Sequence, residues 1–300
     1  MAEPKSPVAD YAPGNCILIA QPAEPQPPQP QPPQSQHNPL FKFLGLNRWL
    51  RRLGAAMLLA GQVLFHVMRG RINRRNTLEQ MMAAGPASLL ITVVAALSVG
   101  SVFTIQVARE FLRFGAGAVV GGVLVLALVR ELAPVIAAVL LAGRMGSAFA
   151  AEIGTMRVTE QIDALFVLRT DPVDYLVVPR VLACCLMMPI LTLLFALAGT
   201  VAGLVVATTF FGMSQAIFIT SVRNFLSVWD LISAVVKALV FGGLVAVVGS
   251  SWGLTTTGGA KGVGESTTAA VVTTLLLIFV VNFFLSGLLF QGQGSALGNL

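Results

Sequence analysis

The chain has 300 residues, of which 56% are hydrophobic and only 11% charged, whereas ordinary soluble domains carry about 25% charged residues. That balance excludes a soluble core and places the protein in a membrane. The formal charge of +6 resides in basic residues beside apolar stretches, so lipid headgroups and membrane orientation account for it better than nucleic acid does. Three cysteines, Cys16, Cys184 and Cys185, give neither a metal-ligand spacing nor a disulfide framework.

Residues 1–39 hold 11 of the 16 prolines. Such a segment cannot bury a core and is expected to be a disordered or polyproline-like tail. It lacks the basic and apolar regions of a signal peptide, and it contains acids but no arginine, unlike a transit peptide.

Residues 40–76 begin with Lys42, Arg48, Arg51 and Arg52, pass through the uncharged stretch from Leu53 to Met68, and end with Arg69, Arg71, Arg74 and Arg75. The apolar stretch is short for a span, which needs about 20 residues. Positive charge on both flanks keeps both ends on one side, so an interfacial elbow helix in the cytoplasmic leaflet is expected. His66 reads as an interface side chain, because no second histidine or cysteine is spaced to share a metal.

Residues 77–291 contain five apolar runs, expected as spans over about 84–107, 116–144, 181–211, 231–252 and 269–290, with 292–300 as a short outer tail. Arg109, Glu110 and Arg113 fall in the first outer turn. The second span carries Arg130 and Glu131 amid apolar residues, where ionisable groups are costly and face a bundle interior or a wet cavity. Neighbours on a helix point about 100° apart and do not face each other, so each needs its own partner from another helix, another subunit or a ligand. Pro134 lacks an N–H and crowds the carbonyl of Arg130, so a kink and a freed carbonyl are expected at the charged pair. Snorkelling or a structural ion pair is the plainer account of the same residues.

Between the second and third spans lies a charged amphipathic segment. Thr159 is the expected N-cap, with Glu160, Gln161 and Asp163 in the first turns. Ile162, Leu165 and Phe166 form an apolar face and Arg169 closes the last turn. Asp171-Pro172 marks a fresh helix start with Asp174 at N3. This segment is a handle for a soluble partner, or a loop helix lying on the lipid surface.

Gly117-x-x-x-Gly121 and Gly199-x-x-x-Gly203 supply small residues for close helix approach. Residues 214–229 place Phe218, Val222, Phe225 and Trp229 on one face of an expected outer helix. Lys237 lies one to two turns inside the fourth span, where it either snorkels or meets an acid. Residues 253–268 read as a glycine-rich inner loop, and the fifth span holds one amide, Asn282. The loop GGAKGVGEST is no P-loop, because Lys261 is followed by Gly262 rather than Ser or Thr. No HExxH or CxxC motif is present, so no catalytic function, cofactor or metal is expected of this chain. Arg144, Arg157, Arg169, Arg180, Lys261 and the elbow on one side, against Arg109, Arg113, Arg223 and Lys237 on the other, put the N-terminus in the cytoplasm and the C-terminus across the membrane.

Several stretches carry a resemblance: Glu131-Leu132-Ala133-Pro134, Ala142-Gly143-Arg144, the run from Ala151 to Arg157, the run from Thr159 to Leu165, Asp171-Pro172 through Pro179-Arg180, and the run from Gly258 to Gly264 with Thr267-Thr268. Together they resemble the MlaE/YrbE permease family, the membrane subunits of ABC transporters that work with MCE-domain proteins. The similarity extends over roughly Leu44 to Phe290. It implies an all-α integral membrane fold with an elbow helix, five transmembrane helices and a cytoplasmic coupling helix, in a bacterial inner membrane or an equivalent plastid envelope membrane. It also implies pairing with a second copy and an ABC ATPase subunit that binds ATP and grips Arg157, Thr159, Glu160, Gln161, Asp163, Leu165 and Phe166. An MCE-domain protein on the outer face, a small regulatory subunit and a phospholipid or related cargo complete the implied set. Arg130, Glu131 and Pro134 are the expected substrate-path residues, with Arg130 suited to a lipid phosphate. An ion- or proton-coupled secondary transporter of an amphipathic substrate is the alternative. Such folds usually carry internal repeats, and no second copy of the Arg130 region is visible.

Overall fold

The computed structural model describes residues 39–69 and 74–290, and the architecture below is that of the unit from Gly45 onward. The proline-rich tail and the outer tail expected from the sequence lie outside the described residues, apart from Pro39. Every element among the described residues is helical. Five helical stretches are long and apolar enough to cross a membrane: Arg75–Arg113, Gly117–Val158, Val173–Phe211, Val228–Leu254 and Gly259–Phe290. The chain is therefore an integral membrane protein.

Two helices lead in, α1 (Pro39–Met68) and α2 (Arg74–Ala84). Gly85 separates α2 from α3 (Pro86–Arg113), whose proline occupies the first turn, where its missing N–H costs nothing. Gly115, at φ +71°, reverses the chain into a helical run of 42 residues, Gly117–Val158. At 1.5 Å per residue that run is about 63 Å long, twice the hydrocarbon thickness, so it extends well beyond the expected 116–144. Two π-helical turns, Leu128–Leu132 and Ala142–Gly146, divide it into α4 (Val120–Ala127), α5 (Ala133–Leu141) and α6 (Ser147–Val158). The first π turn contains the Arg130-Glu131 pair and directly precedes Pro134, the place where the sequence calls for a distortion. Then come α7 (Gln161–Val167), a π-helical turn over Val173–Val177, and α8 (Val178–Phe211) with Pro189 inside it.

The short helix α9 (Gln215–Phe225) ends four residues before Trp229, so the single face expected to include that tryptophan is cut short. Trp229 belongs instead to α10 (Val228–Leu254), and its indole N–H donates to Leu289 O at 3.2 Å. The last helix, α11 (Gly259–Phe290), starts far earlier than expected. Only residues 255–258 stay non-helical, so most of the glycine-rich stretch read as a loop is the first turns of a span. A glycine lowers helix propensity by only about 1 kcal/mol each, which packing of a long apolar helix easily offsets.

Connectivity fixes two ends of the bundle. Gly85, α7 and the α10–α11 turn lie at one; the α3–α4 turn, α9, the start of α10 and the end of α11 lie at the other. The core sits where α8 packs between α3 and α10, with Phe149, Phe195, Phe241 and Met188 fully buried. Small residues set these distances. A Cβ on Gly100 of α3 would stand 2.7 Å from Gly199 Cα, and one on Gly121 would stand 2.7 Å from Phe218 O. Both small-residue motifs of the sequence thus mark crossings where backbones touch.

Candidate functional site

An ionic network joins the π turn of the long helix to α10 and α11. Arg130 and Glu131 diverge, as adjacent helical residues must. Arg130 Nε donates to Asp230 Oδ1 at 2.7 Å. Asp230 is fully buried, and its other oxygen accepts from Ser227 N and Ser227 Oγ, both at 2.9 Å. Asp230 thereby closes the capping box of α10 while serving as counter-ion to another helix.

Glu131 turns the other way. Its Oε1 accepts from Lys237 Nζ and Ser286 Oγ, each at 2.8 Å, and its Oε2 accepts from Asn282 Nδ2 at 2.9 Å. Lys237 has no accessible surface. Besides Glu131, its ammonium donates to Ser286 Oγ at 2.7 Å and to the carbonyl oxygen of Arg130 at 2.8 Å. An ammonium has three protons, and all three are used. The carbonyl that Pro134 and the π turn remove from the helical ladder is thus bonded by a charge from α10. Of the two placements open to Lys237 in the sequence, meeting an acid is realised and snorkelling is not.

The network carries two cations and two anions and is neutral as a unit, which lowers the cost of holding it among apolar helices. It is not sealed. The side chains of Arg130 and Glu131 are 39% and 42% exposed. The guanidinium carbon of Arg130 lies 4.8 Å from the Phe290 ring centroid, and its two terminal nitrogens bond to none of the described residues. Asn282 Oδ1 is buried without a donor. Beside this opening α11 exposes Phe279, Phe283, Phe284 and Leu288.

At the opposite end of the bundle stands the charged segment. Thr159 is not an N-cap there: it ends α6, and its hydroxyl donates back to Thr155 O at 2.9 Å. Glu160 precedes α7 in left-handed backbone, φ +59°, without a side-chain cap. The tight α6–α7 turn needs that backbone reversal, which leaves no residue in the extended geometry a capping threonine requires. Asp163 pairs with Arg157 at 2.6 Å. Ile162 is buried against Ile153 and Leu176, with Leu165 partly so. Phe166, expected on that same face, is 61% exposed and continues into exposed Val167 and Leu168. Arg169 lies past the helix at φ +55° rather than in its last turn. Asp171 Oδ1 accepts from Val173 N at 2.9 Å, as expected of a helix start. His66 of α1 lies 3.7 Å from Asp171 and 3.9 Å from Asp174, and Glu152 pairs with Arg180 at 2.9 Å.

A model of one family, described as Permease MlaE, matches residues 77–288. The chain belongs to the MlaE permease family. Among its relatives is a probable ABC transporter permease of Synechocystis, 62% identical over 254 residues, covering 84% of this chain and 97% of that one. The Arabidopsis thaliana protein TRIGALACTOSYLDIACYLGLYCEROL 1, chloroplastic, is 48% identical over 242 residues, covering 81% of this chain and 69% of its own length. A probable ABC transporter permease of the red alga Porphyra purpurea is 45% identical over 258 residues, covering 86% and 98%. Membership of the MlaE family makes this chain an ABC transporter permease, and the secondary-transporter alternative gives way to it.

For an MlaE permease, the network holds more than the sequence singled out. Arg130, Glu131 and Pro134 are brought together, but Asp230 and Ser286 were not anticipated. The signal for Asp230 was hidden because Ser227-x-x-Asp230 reads as a plain capping box. Charge balance pointed to it, since Arg130 and Lys237 in neighbouring spans require two acids and Glu131 is one.

Proposed function

We propose that this permease is the membrane-spanning half of an ATP-driven lipid transporter, with the Arg130–Asp230 and Glu131–Lys237 network lining the cargo path. One observation carries the reading. Two charged side chains, each about two-fifths exposed, open beside aromatic side chains on the flank of apolar helices. Hydrocarbon does not tolerate such groups, so a second copy covers this flank and encloses a polar recess between the two. The free terminal nitrogens of Arg130 suit a lipid phosphate, the orphan acceptor of Asn282 suits a headgroup donor, and the exposed phenylalanines of α11 suit acyl chains.

In this reading an ABC ATPase docks on α7 and the residues before it, and supplies the energy that this chain has no chemistry to provide. An MCE-domain protein receives or delivers the lipid at the α9 end, and a small regulatory subunit completes the assembly. The cargo is a glycerophospholipid or a related lipid; the name of the chloroplast relative contains a galactosylated diacylglycerol, a lipid of the related kind. The membrane is a bacterial inner membrane or an equivalent plastid envelope membrane, with the N-terminus cytoplasmic.

The test is ATP-dependent lipid movement in vesicles that contain the chain with its co-purified partners. Arg130→Ala and Glu131→Ala, each at normal protein level, should lower transport by at least about tenfold, the loss expected for one charge-assisted contact. Unchanged transport in both would remove the network from the path.

A further inference from the structure

A second candidate site lies at the other end of the bundle, away from the ionic network. There a cavity of about 380 Å³ opens between α1, the α10–α11 turn and the first turns of α11. Local sequence builds its walls. Gly258 and Gly259 adopt φ +92° and +66°, angles that other residues rarely take. They fold the turn onto α11 so closely that a Cβ on Gly262 would collide with Thr257 O. Opposite, Trp49 of α1 is fixed by its indole N–H, which donates to Thr273 Oγ1 at 3.0 Å. Fully buried Trp252 lies behind.

The polar side chains facing this space make no bond to one another. Ser266 is 2% exposed, yet its hydroxyl bonds to none of the described residues. Its neighbours Thr267 and Thr268 donate to the carbonyls one turn back, Val263 O at 2.7 Å and Gly264 O at 3.1 Å. Serine in an apolar helix normally does the same. Arg52 and Glu265 line the same cavity, and neither has an ion pair or hydrogen bond among the described residues. A cavity lined by a cation, an anion and the hydroxyl of a buried serine, none paired among the described residues, suits a ligand that bears both an acceptor and a donor. The start of α11, a 32-residue helix, adds free N–H groups and positive dipole at the same place. A tryptophan and an arginine side by side, as Trp49 and Arg52 are on α1, suit the headgroup level of a bilayer, and α1 continues from Arg52 into exposed Met57 and Leu58.

We propose that this cavity seats the headgroup of a glycerophospholipid from the surrounding leaflet. Its phosphodiester meets Arg52, the Ser266 hydroxyl and the start of α11; its terminal ammonium or hydroxyl meets Glu265; its chains lie along α1. The glycine-rich stretch that fails as a nucleotide loop thereby holds a lipid phosphate. The inference is independent of the cargo path, since it uses other residues at the opposite end of the helices.

The experiment uses the full chain, delipidated in detergent, with a phosphatidylglycerol and a phosphatidylethanolamine that carry a photoreactive group near the glycerol. Labelled peptides are mapped by mass spectrometry. Labelling of segments 49–52 and 262–269 is expected, and Arg52→Ala should weaken it about tenfold while labelling elsewhere persists. Ser266→Ala, nearly isosteric, should weaken it by a smaller factor, and Arg52→Lys should retain part of it. Labelling unchanged in both Arg52→Ala and Ser266→Ala would overturn the proposal. So would equal labelling by a phosphate-free diacylglycerol, which would show attraction for chains alone. Loss of labelling to inorganic phosphate in excess would identify a soluble anion as the occupant and overturn the lipid assignment.

Discussion

Lys237 of α10 binds two consecutive residues of the facing helix at once, the carbonyl oxygen of Arg130 and the carboxylate of Glu131, each at 2.8 Å. One ammonium therefore neutralises a charge and repairs a broken helical ladder in the same place. Lys237→Met should leave the Arg130 carbonyl without its side-chain donor and the Glu131 carboxylate without its counter-ion, with only the neutral donors Ser286 and Asn282 remaining, and lower stability by about 3 kcal/mol. Adding Glu131→Gln removes the stranded charge and should restore more than half of that loss. Thermal unfolding of the two variants in detergent decides the point; equal losses would show that the two side chains are not coupled.

The crossing of α3 and α8 gives a second expectation. A Cβ at Gly100 stands 2.7 Å from Gly199 Cα, whereas one at Gly287 meets nothing within 4 Å. Gly100→Ala should push the helices apart and cost about 1–3 kcal/mol. Gly287→Ala should be neutral or stabilise by up to about 1 kcal/mol through helix propensity. Melting curves that place the two variants together would contradict the close approach.

Docking on α7 can be separated from folding by choosing residues with no internal contacts. Reversing Asp163 also strands Arg157, its partner at 2.6 Å, so that variant mixes two effects. Phe166 is 61% exposed, and Phe166→Asp should leave the melting temperature unchanged while cutting co-purified ATPase by about tenfold, as for a central interface aromatic. Ile162→Ala, a buried position, should instead destabilise by about 2–5 kcal/mol. Full ATPase recovery with Phe166→Asp would move the docking surface elsewhere.

The spans were legible because long uncharged runs admit few alternatives in a 300-residue chain, and the distortion at Arg130 followed from Pro134 alone. What escaped was set by tertiary packing. Glycine content made residues 259–268 look like a loop, yet the segment is helical because α11 packs on α6 and α10 along its length. Phe166 satisfied the helical period with Ile162, but a seven-residue helix buries only one side, and the turn at Glu160 chose which. Asp230 escaped because a capping residue and a counter-ion look identical in sequence.

Glu160 offers the sharpest separation of backbone from charge. Its φ of +59° is a conformation that costs about 1–2 kcal/mol for a residue with a Cβ and nothing for glycine. Glu160→Gly should therefore keep or slightly raise stability, and Glu160→Val should lose about 1–2 kcal/mol because branching worsens the same clash. If the carboxylate contacts the ATPase, Glu160→Gly will fold normally yet recover less ATPase. If the turn alone matters, Glu160→Gly will recover it fully and Glu160→Val will not. Co-purification measured beside melting temperature for both variants distinguishes the two. A Glu160→Gly variant that melts well below the wild type would show that the left-handed turn is not what the folded protein uses.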